Sequence, residues 1–316
     1  MTPLRWPSLV AALAAVVALA LAACGGDDEG ATAATTGTDG VELKVGQFSW
    51  TAAEVQVEIL KAIAEAHPEL GVRSIKSVPV DPAAGWVGIK RGDLDVLTEV
   101  MLPNQRPLAE RASAEVDLVA EVYDGAVQGW FVPRYAVAAD GPLAGLRRVD
   151  QVNAYTDKVD ALYDGDPGWI TTQQNRKRIA AYGLGIRHAT SSEAALIAQV
   201  RRAYERREPV LFAFYRPHWL FQRFDLVQLA EPNPYRPGCF EGGRDRCAIA
   251  TQASWIAARK DLAERAPRFA SALRNVRIPL EEIEALLFQV DGGEEPTAVA
   301  RRWVEGHRAE VDAWLS

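Results

Sequence analysis

The chain has 316 residues, 48% of them hydrophobic, and a formal net charge of −7. That charge argues against a partner presenting phosphates, whether nucleic acid or an anionic lipid surface. The apolar content excludes a disordered chain, and the length suits two α/β lobes better than one small core.

The N-terminal stretch carries an address. Arg5 gives a positive start, residues 9–23 form an apolar run too short to span a bilayer, and Leu21-Ala22-Ala23-Cys24 closes it with small residues before a cysteine. This is the pattern of a lipoprotein signal. It predicts cleavage before Cys24, diacylation of its thiol, and a mature domain on the extracytoplasmic face of the cell membrane. Residues 1–23 read as signal peptide, and 24–40 as the lipidated cysteine with a flexible tether, since 25–40 hold no bulky apolar side chain.

Regular structure is expected from Val41. Residues 41–45 alternate apolar and polar at the strand period. Thr51-Ala52-Ala53-Glu54 reads as a capping box opening a helix with Val55, Ile59 and Ile63 on one face, which leaves Trp50 in the turn before the cap. Residues 94–101 and 125–133 read as strands. Thr190-Ser191-Ser192-Glu193 reads as a second box, opening a helix to about Arg207, and a buried-type strand follows at 210–215. Another strand is expected at 248–254, and helices from Asp261 onward, punctuated by Pro267, Pro279, Gly292-Gly293 and Pro296. Strands interleaved with amphipathic helices predict parallel-rich sheets covered on both faces, with ligands beyond the carboxyl ends of the strands.

Motifs of catalysis are missing from the sequence: no GxSxG elbow, Walker loop, HExxH or GxGxxG. An enzymatic function is therefore not expected. The four histidines are scattered and no CxxC occurs, so neither a metal nor another cofactor is expected. Cys239 and Cys247, with Gly242-Gly243 between them, predict a disulfide in an oxidising compartment.

Tryptophan is the unusual feature. Trp303 and Trp314 stand at core spacings beside Val299 and Val311, and Trp255 follows the 248–254 run as a core residue. Trp50, Trp169 and Trp219 lie in or beside turns, Trp169 within Asp166-Pro167-Gly168-Trp169. Large aromatics at strand ends of a two-lobed α/β protein converge on the cleft between lobes. Such a surface suits a quaternary ammonium group. That cation has no N–H to donate, and each aromatic face attracts it by about 0.5–2 kcal/mol.

In these segments the chain resembles the glycine betaine/proline betaine/choline class of substrate-binding proteins that feed ABC importers, over most of residues 41–316. The likeness is carried by Phe48-Ser49-Trp50-Thr51, by Gly92-Asp93-Leu94-Asp95-Val96 through Leu102-Pro103-Asn104, and by Gln128-Gly129-Trp130-Phe131-Val132-Pro133. It continues with Asp166-Pro167-Gly168-Trp169, Tyr215-Arg216-Pro217-His218-Trp219 and Ala313-Trp314-Leu315. The resemblance implies a type II periplasmic-binding-protein fold: two α/β lobes, two crossover strands near 129–133 and 248–255, and a ligand held between lobes. Lobe one would be 41–131 plus 249–316 and lobe two 132–248.

The resemblance also implies a site. Trp50, Trp169 and Tyr215 would cage the cation with Met101 as one wall, while the backbone N–H groups of Ile170 and Thr171 hold a ligand carboxylate. Met101 and Tyr215 stand where the family commonly has Trp-x-Pro. Tyrosine keeps a π-face, whereas methionine offers a polarizable sulfur. Strand alternation sets Glu99 on the side of Met101, adding negative potential. The implied function is that of a monomeric, lipid-anchored solute-binding component. It would bind a quaternary ammonium compatible solute, glycine betaine or similar, and deliver it to the ABC permease. The alternatives are another small zwitterion or amine (choline, carnitine) on the same fold, or a sensor domain for an osmotic signal.

Overall fold

The computed structural model describes residues 40–316. Cys24, the signal stretch and the rest of the expected tether lie outside the described residues.

The first half of the fold is built on β1 (Val41–Gln47), β2 (Val72–Pro79) and β3 (Val96–Leu102), connected by α1 (Thr51–Ala66) and α2 (Pro82–Arg91). In β1, Leu43 and Val45 are buried while Glu42 and Lys44 are exposed. Every residue of β3 is buried, which is why its sequence runs almost continuously apolar. Proline at the first position of α2, Asp81 accepting from the Ala84 amide at 2.8 Å, and Gly92 at φ 86° fix both ends of that helix.

After α3 (Arg106–Ala112), the long strand β4 (Val116–Pro133) leads to α4 (Arg134–Val137) and the second half. This comprises β5 (Ala161–Asp164), α5 (Ile170–Tyr182), β6 (Arg187–Thr190), α6 (Glu193–Glu205), β7 (Leu211–Arg216), α7 (Leu220–Arg223) and β8 (Leu226–Gln228). The chain returns through β9 (Gln252–Arg259) to α8 (Leu262–Arg265), α9 (Pro267–Leu273), α10 (Leu280–Asp291), α11 (Pro296–Gly306) and α12 (Arg308–Leu315).

The strands run in the order β2-β1-β3-β9-β4-β7-β5-β6, with β8 also paired to β4. Within it one pattern occurs twice. β2, β1 and β3 are parallel with β9 antiparallel beside them, and β6, β5 and β7 are parallel with β4 antiparallel beside them. This is the two-lobed α/β architecture expected from the alternation of strands and helices. β4 joins the halves: it pairs with β9 as far as Ala126 and with β7 from Val127. A separate apolar core around Trp130, Leu162 and Leu211 fills the second half.

Several local expectations are corrected. Neither capping box forms. Trp50, not Thr51, is the N-cap of α1, and Ser192 caps α6 by accepting from the Ala195 amide at 3.4 Å, while Thr190 ends β6. The reason is tertiary: the Thr51 hydroxyl donates to the Glu193 carboxylate at 2.5 Å, so each side chain serves the other helix instead of its own cap. The strand expected at 125–133 starts at Val116, because its first part pairs with β9. The strand expected at 248–254 starts at Gln252, which puts half-buried Trp255 inside β9 instead of after it. Trp303 and Trp314 stack at 6.0 Å in the core, and a disulfide joins Cys239 to Cys247.

Candidate functional site

The repeated half-fold explains where the site falls. In each half, the helix after the first strand starts on a tryptophan: Trp50 is the N-cap of α1 after β1, and Trp169 the N-cap of α5 after β5. In each half the third strand ends in a proline motif, Met101-Leu102-Pro103 on β3 and Tyr215-Arg216-Pro217 on β7, both with a cis bond before the proline. Four corresponding positions thus face one another across the seam.

They line one small pocket between the halves. Trp50, Glu99, Met101, Trp169, Ile170, Thr171 and Tyr215 all line it. Trp50 meets Trp169 edge to face at 5.8 Å and 87°, and Trp169 meets Tyr215 at 6.0 Å and 76°. Rings set nearly at right angles form the walls of this pocket. Phe48 backs Trp50 at 4.7 Å and Phe214 backs Tyr215 at 5.0 Å, so the walls are supported from behind. Trp169 is fixed across the seam by its Nε1–H, which donates to the Ser49 hydroxyl at 2.8 Å.

Opposite charge preferences meet in this pocket. α5 begins without a side-chain cap, so the amides of Ile170 and Thr171 have no intrahelical partner and form a ready anion site. Glu99 supplies the acidic side. It is 2% exposed and accepts hydrogen bonds from the Tyr123 and Ser254 hydroxyls and the Gln56 amide. Burial pushes its carboxyl up, against the pull of those donors. Burial and the neighbouring Glu99 hold the Tyr123 phenol well above its ordinary value, so it stays a donor.

Glu99 reaches the pocket by a different route from simple alternation. The β3–β9 register shifts between Leu97 and Val100, and Glu99 sits at φ 55°, a left-handed conformation costly for a residue with a Cβ. The bulge re-aims its side chain toward Met101's side.

Trp219 is not among the residues lining this pocket. It is buried on the outer side, with the guanidinium groups of Arg201 and Arg223 about 6 Å from its ring. Sequence reasoning missed the polar lining (Asn104, Gln105, Gln128) and the Tyr123 partner of Glu99, none of which carries a local signal. Gly165 is a further supporting position. A Cβ there would lie 2.3 Å from the Trp169 ring, and Asp164 holds the turn by accepting from the Gly165 amide at 2.7 Å. Gly165→Ala is therefore expected to push Trp169 off its wall. Calorimetry should show the site's ligand binding about 5- to 150-fold more weakly, the scale of an overpacking penalty of about 1–3 kcal/mol.

The family model described as the substrate binding domain of ABC-type glycine betaine transport systems matches residues 41–306. The glycine betaine-binding periplasmic protein OusX of Dickeya dadantii is 26% identical over 277 residues, covering 80% of this chain and 83% of that protein. Among solved structures, lactococcal OpuAC in its closed-liganded conformation with glycine betaine superposes with a TM-score of 0.72 at 20% identity, covering 87% of this chain and 99% of that one. The glycine betaine/L-proline-binding protein ProX of Borrelia burgdorferi gives 0.74 at 19% identity, covering 87% and 97%.

Proposed function

Because this chain belongs to the family of substrate-binding domains of ABC-type glycine betaine transport systems, we propose that its pocket holds glycine betaine, with the quaternary ammonium inside Trp50, Trp169 and Tyr215 and the carboxylate on the amides of Ile170 and Thr171. The chain is the substrate-binding component of such a system. Met101 closes the fourth side and Glu99 adds negative potential. The observation that carries this assignment is the set of three rings drawn from both halves, with Trp169 edge to face against both Trp50 and Tyr215, beside an uncapped helix start. The cation gains from desolvated π-faces and the carboxylate from unpaired N–H groups.

The lobe division 41–131 plus 249–316 against 132–248 is part of this proposal. The switch of β4 from β9 to β7 after Ala126 supports a crossing a few residues before the first boundary. Contacts across the seam support capture by closure. α10 presents Glu284 and Asp291 to the second half, where Arg216 lies 3.5 Å from Glu284, and Arg201 and Arg223 lie 3.5 and 3.4 Å from Asp291. The chain binds and delivers its solute to the permease, held at the extracytoplasmic membrane face by lipid on Cys24, and carries out no chemistry itself.

Titration calorimetry with glycine betaine, proline betaine, carnitine and choline tests the assignment. Glycine betaine should bind and choline more weakly, because choline lacks the carboxylate for α5; no heat with any of them would contradict it. Methionine in place of an aromatic wall, with Asn104 and Gln128 nearby, favours a second reading in which a bulkier betaine or carnitine binds best.

A pH dependence follows from Glu99. Its folded, unliganded pKa is raised by burial, and a cation beside it favours the ionised form. Ligand binding should therefore release protons, and affinity should fall as pH drops through that raised pKa. Calorimetry in buffers of different ionisation heat measures the release. Affinity that stays flat however far pH is lowered below neutral, while the protein stays folded, would show that Glu99 does not feel the cation.

A further inference from the structure

We propose that Glu193 is a positioning residue that ties the Tyr215 wall of the pocket to the start of α1 behind Trp50, making cage assembly and lobe closure a single event. It rests on the cage assignment above and goes beyond it, since Glu193 does not line the pocket.

Glu193 is the first residue of α6 and 6% exposed, so the helix start favours its negative charge. Its Oε2 accepts from the Tyr215 hydroxyl at 2.7 Å, within the second lobe. Its Oε1 accepts from the Thr51 hydroxyl at 2.5 Å and the Thr51 amide at 3.3 Å, both in the first lobe. One buried carboxylate thus holds a cage wall with one oxygen and the opposite lobe with the other. The third wall is tied to the same short segment, through Trp169 and Ser49. Residues 49–51 therefore engage the second lobe at every position: by hydroxyl, by ring and by hydroxyl again.

His218 completes the cluster. It is fully buried, and its Nδ1 accepts from the Leu220 amide at 3.1 Å, which puts the ring proton on Nε2, 3.6 Å from Glu193 Oε1. Despite burial, His218 and the hydroxyls of Thr51 and Tyr215 together hold the Glu193 carboxyl below its ordinary range. Burial and the Glu193 charge hold the Tyr215 phenol well above its own, so it remains a donor. A tyrosine wall needs a partner for its buried hydroxyl, and Glu193 is that partner. When the lobes separate, Glu193 loses both Thr51 donors. Closure restores them, so part of the apparent ligand affinity resides in a contact that the ligand never touches.

The test is a double-mutant cycle on purified protein with glycine betaine, using Thr51→Val, Glu193→Gln and the pair. Affinity is read by calorimetry, dissociation by stopped-flow tryptophan fluorescence, and closure by interlobe distance. Each single variant should weaken binding by about tenfold or more, the scale of a hydrogen bond to a charged group, chiefly through faster dissociation and a smaller closed fraction. The double variant should be no weaker than Glu193→Gln alone, and Thr51→Ser should restore binding. Thr51 is only partly buried and valine keeps its volume, so Thr51→Val carries the test even if Glu193→Gln folds poorly. Wild-type dissociation in Thr51→Val, or single effects that multiply in the double variant, would overturn the coupling. A wild-type protein that binds no glycine betaine would instead overturn the cage assignment, and the coupling with it.

Discussion

Trp169→Ala is expected to weaken glycine betaine binding by about 100- to 1,000-fold. Trp169 is the middle wall, meeting Trp50 at 5.8 Å and Tyr215 at 6.0 Å, both edge to face, so its removal opens the cage on two sides at once. A desolvated cation–π contact contributes about 2 kcal/mol, and the apolar contact of the large ring about 1.5–3 kcal/mol more. Part of that contact survives through Trp50 and Tyr215, so the net is about 3–4 kcal/mol, which sets the fold-change. Trp169→Phe keeps a π-face but loses the Nε1–H bond to Ser49, and should cost less. Calorimetry on both variants, with melting curves of the unliganded proteins, separates lost contact from lost folding. A loss under tenfold for Trp169→Ala would mean that the cation lies elsewhere.

Cys24→Ala is expected to abolish uptake by cells while leaving ligand binding at wild-type strength. The pocket is built from residues 50–217, far along the chain from Cys24. The proposed diacylation would add two acyl chains, each methylene worth about 0.8 kcal/mol in the membrane, and two chains anchor stably where one is only marginal. Without them the domain is released, and its effective concentration at the permease falls from that of a tethered partner to that of a dilute solute. Labelled-substrate uptake together with fractionation of cells and medium measures both effects. Uptake that persists with the protein in the medium would remove the anchor's role, and binding lost with Cys24 would mean the tether is misassigned.

The parts of the molecule that were legible in the sequence share a physical reason. Trp50 and Trp169 stand out because each fills a strand-to-helix turn at the N-cap position with a side chain that accepts no capping hydrogen bond. The alternation of strands and helices gave the two-lobed architecture because its periodicities are local. Met101 and Tyr215 were accessible only through resemblance, because a tyrosine or methionine at a strand end has no signature of its own. Glu99 was placed by alternation, yet the structure brings it in through a bulge, a feature invisible to a period-two pattern. Glu193 shows the opposite failure. Its spacing from Thr190 fits a local capping box, but its partner is Thr51, 142 positions away, and tertiary hydrogen bonding overrode the local rule.

A crystal structure with glycine betaine bound tests the central assignment most directly. The trimethylammonium group should lie within about 6 Å of the ring centres of Trp50, Trp169 and Tyr215, the range of cation–π contact. The carboxylate should accept from the amides of Ile170 and Thr171, with Glu193 still bonded to Thr51 and Tyr215. A ligand bound in reverse, with its carboxylate among the rings, or one seated outside this pocket, would contradict the account.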